Sequence, residues 1–185
     1  MTQITISNTG IPWNKEVREM EKQKSASVRM RRLFDIGEAE TCARMMSTSE
    51  PWITLRRGYE DSLRHLTDPL KEGYVAASQD VIAGFTILDM KGAFVGYIQT
   101  VCVAPEWRNQ GIGSQLIDFA EKRIFTEAPN VFMCVSSFNT KAQDLYKRLG
   151  YQVVAELKDY IISGQSEILM RKTIAPLTEF KKTLS

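Results

Sequence analysis

Arg108, Gly111 and Gly113 stand at a spacing that can hold a phosphate chain. They lie in the run Val101-Cys102-Val103-Ala104-Pro105-Glu106-Trp107-Arg108-Asn109-Gln110-Gly111-Ile112-Gly113. An apolar strand ends there, a proline turn comes next, and a helix opens on two glycines. Glycine has no Cβ, so a ligand can come close to the backbone. The first N–H groups of a helix have no intrahelical partner, and the helix dipole favours an anion beside them. Arg108 adds positive charge at the edge of that nest, and the pattern suits a pyrophosphate. Two familiar phosphate motifs fail. A dinucleotide fingerprint needs a third glycine where Leu116 stands, and a P-loop needs Gly-Lys-Ser/Thr where the chain has Gly113-Ser114-Gln115. A glycine-rich turn without a ligand is the other reading of the same residues.

The remaining chemistry is bounded by scarcity. His65 is the single histidine, so a metal site with two or three histidines is excluded, and no metal is expected. The three cysteines, Cys42, Cys102 and Cys134, are scattered without a CxxC pair. That pattern reads as reduced thiols, and a cytoplasmic protein is expected. Cys102 has no histidine partner to activate it as a nucleophile.

A second block lies downstream: Asn139-x-x-Ala142-x-x-Leu145-Tyr146-x-x-x-Gly150-Tyr151. Together the two blocks resemble the acetyl-CoA motifs of the GNAT superfamily of N-acetyltransferases, and the likeness runs over about residues 28–174. The resemblance implies two neighbouring parallel strands that splay apart and admit the pantetheine arm of acetyl-CoA as if it were an added strand. Here these would be Phe94–Val103 and Val131–Val135. It implies that the Val101 N–H polarises the thioester carbonyl, that Cys102 and Val103 line the arm, and that Arg108, Asn109, Gln110, Gly111, Ile112, Gly113 and Ser114 hold the pyrophosphate. One preorganised N–H of that kind contributes about 3 kcal/mol to the rate. Asn139 and Ala142 fall on the cofactor side. Tyr146 shares a helix face with Ala142, Leu145 and Leu149 and could be core; the resemblance places it beside the sulfur as the acid that protonates the departing thiolate. Thr140 with Gln143 has the spacing of a capping box, which would leave the Asn139 side chain for the cofactor.

One position departs from the family pattern. Many GNAT enzymes carry a glutamate base four residues before the oxyanion N–H, and that position is Tyr97. Gln99 on the same face is no base either. Glu50, Glu60 and Asp89 are the carboxylates to consider. Tyr97, Gln99 and Trp52 are expected at the acceptor site. The Pro51-Trp52 pair looks like that of protein N-terminal acetyltransferases acting on ribosomal-protein alanine. The expected reaction is direct acetyl transfer to a primary amine, most simply a small molecule. Protein N-terminal or lysine acetylation, or a non-catalytic acetyl-CoA-binding module, are the rival readings.

The elements that must position these groups are read from patterning. Of 185 residues, 43% are hydrophobic and 25% charged, and the net charge is +2. Such a chain is globular, and the near-balance argues against nucleic acid as a partner. The N-terminus lacks the apolar core of a signal peptide. The longest mostly apolar stretch, Val81–Leu88, is too short to span a membrane, so no membrane association is expected. Residues 1–27 read as an N-terminal arm, with Trp13, Val17 and Met20 at helical spacing. Residues 28–174 form the acetyltransferase domain and 175–185 a tail. Strands are expected at Val28–Leu33, Gly73–Ser78, Val81–Leu88, Phe94–Val103, Val131–Val135, Tyr151–Ile162 and Glu167–Ile174. Helices are expected after Asp35, from Leu55 to Leu66, across Ile112–Ile124 and over Lys141–Leu149. The order β-α-α-β-β-β-α-β-α-β-β argues for an α/β fold: a mixed, mostly antiparallel sheet flanked by helices. Ile161, Ile162, Ile168 and Met170 look too apolar for an open sheet edge, so a homodimer is an expectation.

Overall fold

The computed structural model of the protein describes residues 28–181. The N-terminal arm with Trp13, Val17 and Met20 lies outside them. The strands are β1 (Arg29–Arg32), β2 (Lys71–Ser78), β3 (Val81–Asp89), β4 (Tyr97–Val103), β5 (Asn130–Ser136), β6 (Gln152–Lys158) and β7 (Ser166–Thr173). The helices are α1 (Ile36–Ser47), α2 (Tyr59–Leu66), α3 (Ile112–Ile124) and α4 (Thr140–Arg148). A short 3₁₀ turn, Pro105–Trp107, separates β4 from α3. One sheet runs β1-β2-β3-β4-β5-β7-β6, antiparallel except for β4 beside β5.

Period-2 alternation sends neighbouring residues to opposite faces of this sheet. Val75, Phe85, Ile87 and Cys102 pack under α1 and α2 with Cys42, Met46 and Trp52. Ala76 meets Ile112 and Leu116 of α3 on the other face, and Ala83 joins it because the β2–β3 register shift beside Ala76 leaves Ala83 as an extra residue. Further along, Ile117 and Ile124 of α3 cover Ile98, Val131 and Met133, with Met170 from β7.

The sheet is nearly cut in two between β4 and β5. Their pairing consists of Tyr97↔Phe132 and Ile98↔Met133. Beyond it, β4 stays with β3 and β5 stays with β7. The split begins where the β3–β4 register shifts between Ile87 and Leu88, which leaves Gln99 as the extra residue. A bulge of this kind bends its strand and re-aims the residues beyond it. Gly96 makes the closed base of the fork possible. Its φ is +89°, and a Cβ there would sit 2.5 Å from the Asn130 carbonyl oxygen and from Ile124 Cγ2.

Several boundaries differ from expectation for local reasons. β4 starts at Tyr97, because Gly92 and Gly96 both take positive φ before it. Leu55 belongs to a turn after Pro51, its N–H bonded to the Pro51 carbonyl, and α2 starts after Gly58. β6 ends at Lys158, because Asp159 turns to φ +54° and its side chain accepts the Gly164 N–H at 2.6 Å. Asp35 caps α1, accepting the Glu38 N–H at 2.9 Å. Glu38 reaches back to the Phe34 N–H and is gripped by Arg31. The four residues expected at an apolar edge do not form one. Ile168 and Met170 lie on β7, which is paired on both sides, and Ile161 and Ile162 lie in the turn before it. The edge strand at this end of the sheet is β6, whose exposed apolar residues are Val153 and Val154.

Candidate active site

The open half of β4 presents its backbone to the fork. Successive N–H groups of a strand point to alternate sides. The Ala104 N–H bonds to the Ala83 carbonyl of the β3 side, so those of Val103 and Val101 point away from β3, into the split. The Val103 carbonyl points the same way, and Arg108 Nε donates to it at 3.1 Å. Val101 therefore offers an unpaired N–H at the mouth of the fork. Cys102 does not line the split. Its N–H faces β3, and its side chain is buried in the α1–α2 layer at 2% exposure. Burial pushes that thiol up to about 12, against the pull of Arg108 and Ser49, so it stays protonated.

On one side of the fork lies a groove of about 600 Å³. Its floor and rim include Val103, Arg108, Asn109, Gly111, Ile112, Gly113 and Ser114, with Asn139 and Ala142 across from them. Gly111 is the N-cap of α3 at φ +79°, and Asn109 also takes positive φ, +60°. That curl exposes the unpartnered N–H groups of the first helical turn. A Cβ at Gly113 would stand 3.8 Å from Val103 and 3.9 Å from Leu145, both of which line the groove. The chain alone thus tolerates a side chain there, which would occupy groove space. Gln110 is not on the groove; its amide donates to the Glu106 carbonyl. Arg108 is more engaged than its position in the motif suggests, since Nη2 also donates to Ser49 Oγ at 3.1 Å. Lys141 and Arg148, which the motif reading passed over, add positive charge on the α4 side. The helix start and these cations together suit an anion at this end of the groove.

On the other side lies a cavity of about 220 Å³. Val101, Tyr97, Gln99, Trp52 and Tyr146 line it, and Asn139 belongs to both spaces. Asn139 is the N-cap of α4. Its Oδ1 accepts the Ala142 N–H at 3.3 Å, so the expected Thr140–Gln143 box does not form. Gln143 instead donates to the carbonyls of Ser136 and Ser137. Tyr146 packs at 6.1 Å from the Tyr151 ring, and burial pushes its phenol up to about 12. Tyr97 is pushed up by burial first and then by Cys134. Gln99 Nε2 lies 3.3 Å from His65 Nδ1, which Lys71 Nζ also approaches at 3.1 Å. Gln99 Oε1 is buried without a partner. Burial, then Lys71 and Arg57, lowers His65, so it is a neutral ring standing behind Gln99.

Glu50, Glu60 and Asp89 are not on the cavity wall. Glu50 accepts the Thr54 N–H, Asp89 accepts the Lys91 N–H, and Glu60 is exposed in the first turn of α2. The carboxylate that does line the cavity is Glu167, at 4% exposure. Its Oε1 accepts from Ser136 Oγ at 2.6 Å. Nothing local in the sequence marks it. It reaches the cavity because β7 pairs with β5 in the register Ser136↔Glu167, a contact between residues 31 positions apart.

A split parallel pair, a glycine-rich helix start beside it and a cavity beyond are the arrangement of a transferase that acts on an acyl-CoA. The chain belongs to the Acetyltransferase (GNAT) family, whose model matches residues 32–151, and it is an acetyltransferase. It is 24% identical over 168 residues to an N-alpha-acetyltransferase of Sulfurisphaera tokodaii, covering 84% of this chain and 97% of that protein. Among solved structures, a GNAT-family acetyltransferase from Desulfovibrio desulfuricans is similar with TM-score 0.68 and 21% identity, covering 80% of this chain and all of that one. An aminoglycoside 6'-N-acetyltransferase complexed with coenzyme A is similar with TM-score 0.65 and 16% identity, covering 80% and 98%.

Proposed function

We propose that the protein transfers the acetyl group of acetyl-CoA to the primary amine of a small molecule. The observation that carries this reading is the cavity itself. At about 220 Å³ it has room for an amine-bearing fragment beside the acetyl group, and Trp52, Leu55 and Ile161 wall it with apolar surface. In this reading the 600 Å³ groove takes the nucleotide end, with the phosphates at Gly111–Ser114. The Val101 N–H faces the oxygen of the thioester carbonyl, where negative charge develops. Tyr146 shares the cavity with Val101 and gives its proton to the departing sulfur. The similarity to the N-alpha-acetyltransferase favours one second reading, a protein N-terminus as acceptor. A thiol-release assay with acetyl-CoA distinguishes them. The panel holds polyamines, aminoglycosides, free lysine and short peptides with free N-termini. Turnover of small amines is the expected result. Turnover confined to peptide N-termini replaces it with the second reading, and coenzyme A binding without turnover of any amine overturns both.

A further inference from the structure

We propose that Glu167 is the general base that takes the proton from the acceptor amine. This rests on the acetyltransferase reading and adds to it a residue from the last strand of the sheet. Glu167 shares one small cavity with Val101 and Tyr146, the groups assigned to the oxyanion and to the sulfur. Among the described residues lining that cavity it is the one carboxylate. Ser136 Oγ satisfies Oε1 at 2.6 Å, and Oε2 has no hydrogen-bond partner among the described residues. Nor does a salt bridge join Glu167 to Arg57, the basic residue of the same wall. Oε2 is therefore available for a proton from the bound amine.

The chemistry of the surroundings supports the role. A carboxylate this far from water is expensive to keep unless it is paired, and Glu167 has one neutral donor. Burial pushes its pKa up, and Ser136 and Arg57 pull it back less strongly. A carboxylate raised in this way is a better base near neutral pH. The other titratable groups around it are unsuited to the role. Burial raises Tyr97, Cys134 and Tyr146, so they keep their protons, and Arg57 is a cation. Tyr160, in the bend after β6, also lines the cavity. On β6, Leu157 is the paired residue, and its neighbours Glu156 and Lys158 are exposed.

A protonated primary amine carries three N–H protons, and each has a destination. Glu167 takes one, and the freed nitrogen pair forms the C–N bond to the acetyl carbon. The C–S bond breaks, and Tyr146 gives its proton to the sulfur. The second amine proton replaces the one that Tyr146 gave, and the third stays on the amide nitrogen. Glu167 then loses its proton to solvent. The products are an amide, a thiol and one proton.

Glu167→Gln keeps the shape and still accepts from Ser136. Its kcat/KM is expected to fall roughly 100- to 1000-fold, with unchanged coenzyme A affinity and without the acid limb of the wild-type pH profile. The defect should shrink across a series of acceptors of falling amine pKa, which a merely structural role would not produce. Ser136→Ala keeps the carboxylate but removes its donor, so the acid limb should move to higher pH. This second variant keeps the test open if Glu167→Gln folds poorly. A folded Glu167→Gln protein with wild-type rate and pH profile overturns the assignment and leaves the acetyltransferase reading standing. Wild-type protein that releases no thiol with any amine overturns both.

Discussion

Tyr146 and Glu167 line the same cavity, and burial shifts both pKa values upward. The consequence is opposite for the two groups. A phenol held at about 12 keeps its proton and can donate it, whereas a raised carboxylate accepts one more readily. Tyr146 is competent as an acid below its own pKa, so its contribution is present at neutral pH and is lost only as pH rises toward about 12. Wild-type kcat should therefore show no alkaline fall through pH ~10. Tyr146→Phe should lower kcat roughly 10- to 1000-fold, the range of a lost acid catalyst, with coenzyme A affinity little changed. Steady-state kinetics with calorimetry checks this, and a Phe variant at wild-type rate would return Tyr146 to a packing role beside Tyr151.

At the scale of elements, two glycines set the fork, and they should respond differently to substitution. Gly96 closes the base of β4 against β5 from a left-handed backbone, with the Asn130 carbonyl and Ile124 in the space a Cβ would need. Gly96→Ala should cost about 2–4 kcal/mol, adding left-handed strain to overpacking. Chemical denaturation measures that loss, and a variant as stable as wild type would show that the fork base tolerates a side chain. Gly113 has room for a Cβ, and that room is the groove. Gly113→Val should fold normally and lose coenzyme A binding by calorimetry; a folded variant that binds as well as wild type would remove the phosphates from the α3 start. Both glycines are visible in the sequence, but only Gly113 carries a motif. The role of Gly96 depends on β5 and α3 crossing beside it, which no local pattern encodes. The α4 start shows the same limit: Thr140–Gln143 has capping-box spacing, yet Asn139 is the cap because Gln143 turns to the Ser136 and Ser137 carbonyls.

Across the whole molecule, the element order is legible because each strand and helix carries its own period, and among the described residues seven strands and four α-helices appear in the expected sequence. The groove at the α3 start is legible because it is local: a turn and a helix start contain most of the residues that line it. The smaller cavity is not, because it gathers residues from the α1–α2 connection, β4, β5, α4, the β6–β7 turn and β7, and one of them, Glu167, depends on strand register alone. The same topology makes a prediction about stability. The sheet is two halves, β1–β4 and β5–β7 with β6, held together by two backbone residue pairs and by α3 packing across them. A ligand that pairs with the facing backbones of the fork supplies the bonds this seam lacks. At a concentration 100 times its Kd, coenzyme A should stabilise the fold by about 2.7 kcal/mol. For a chain of this length that raises Tm by roughly 5–10 °C. Hydrogen exchange should slow most at the Val101 and Val103 amides on β4 and along Cys134–Ser136 on β5, since these line the split. A Tm rise with protection confined to the first turn of α3 would mean that the phosphates bind while the fork stays open, and the two halves would then be joined by α3 and the base pairs alone.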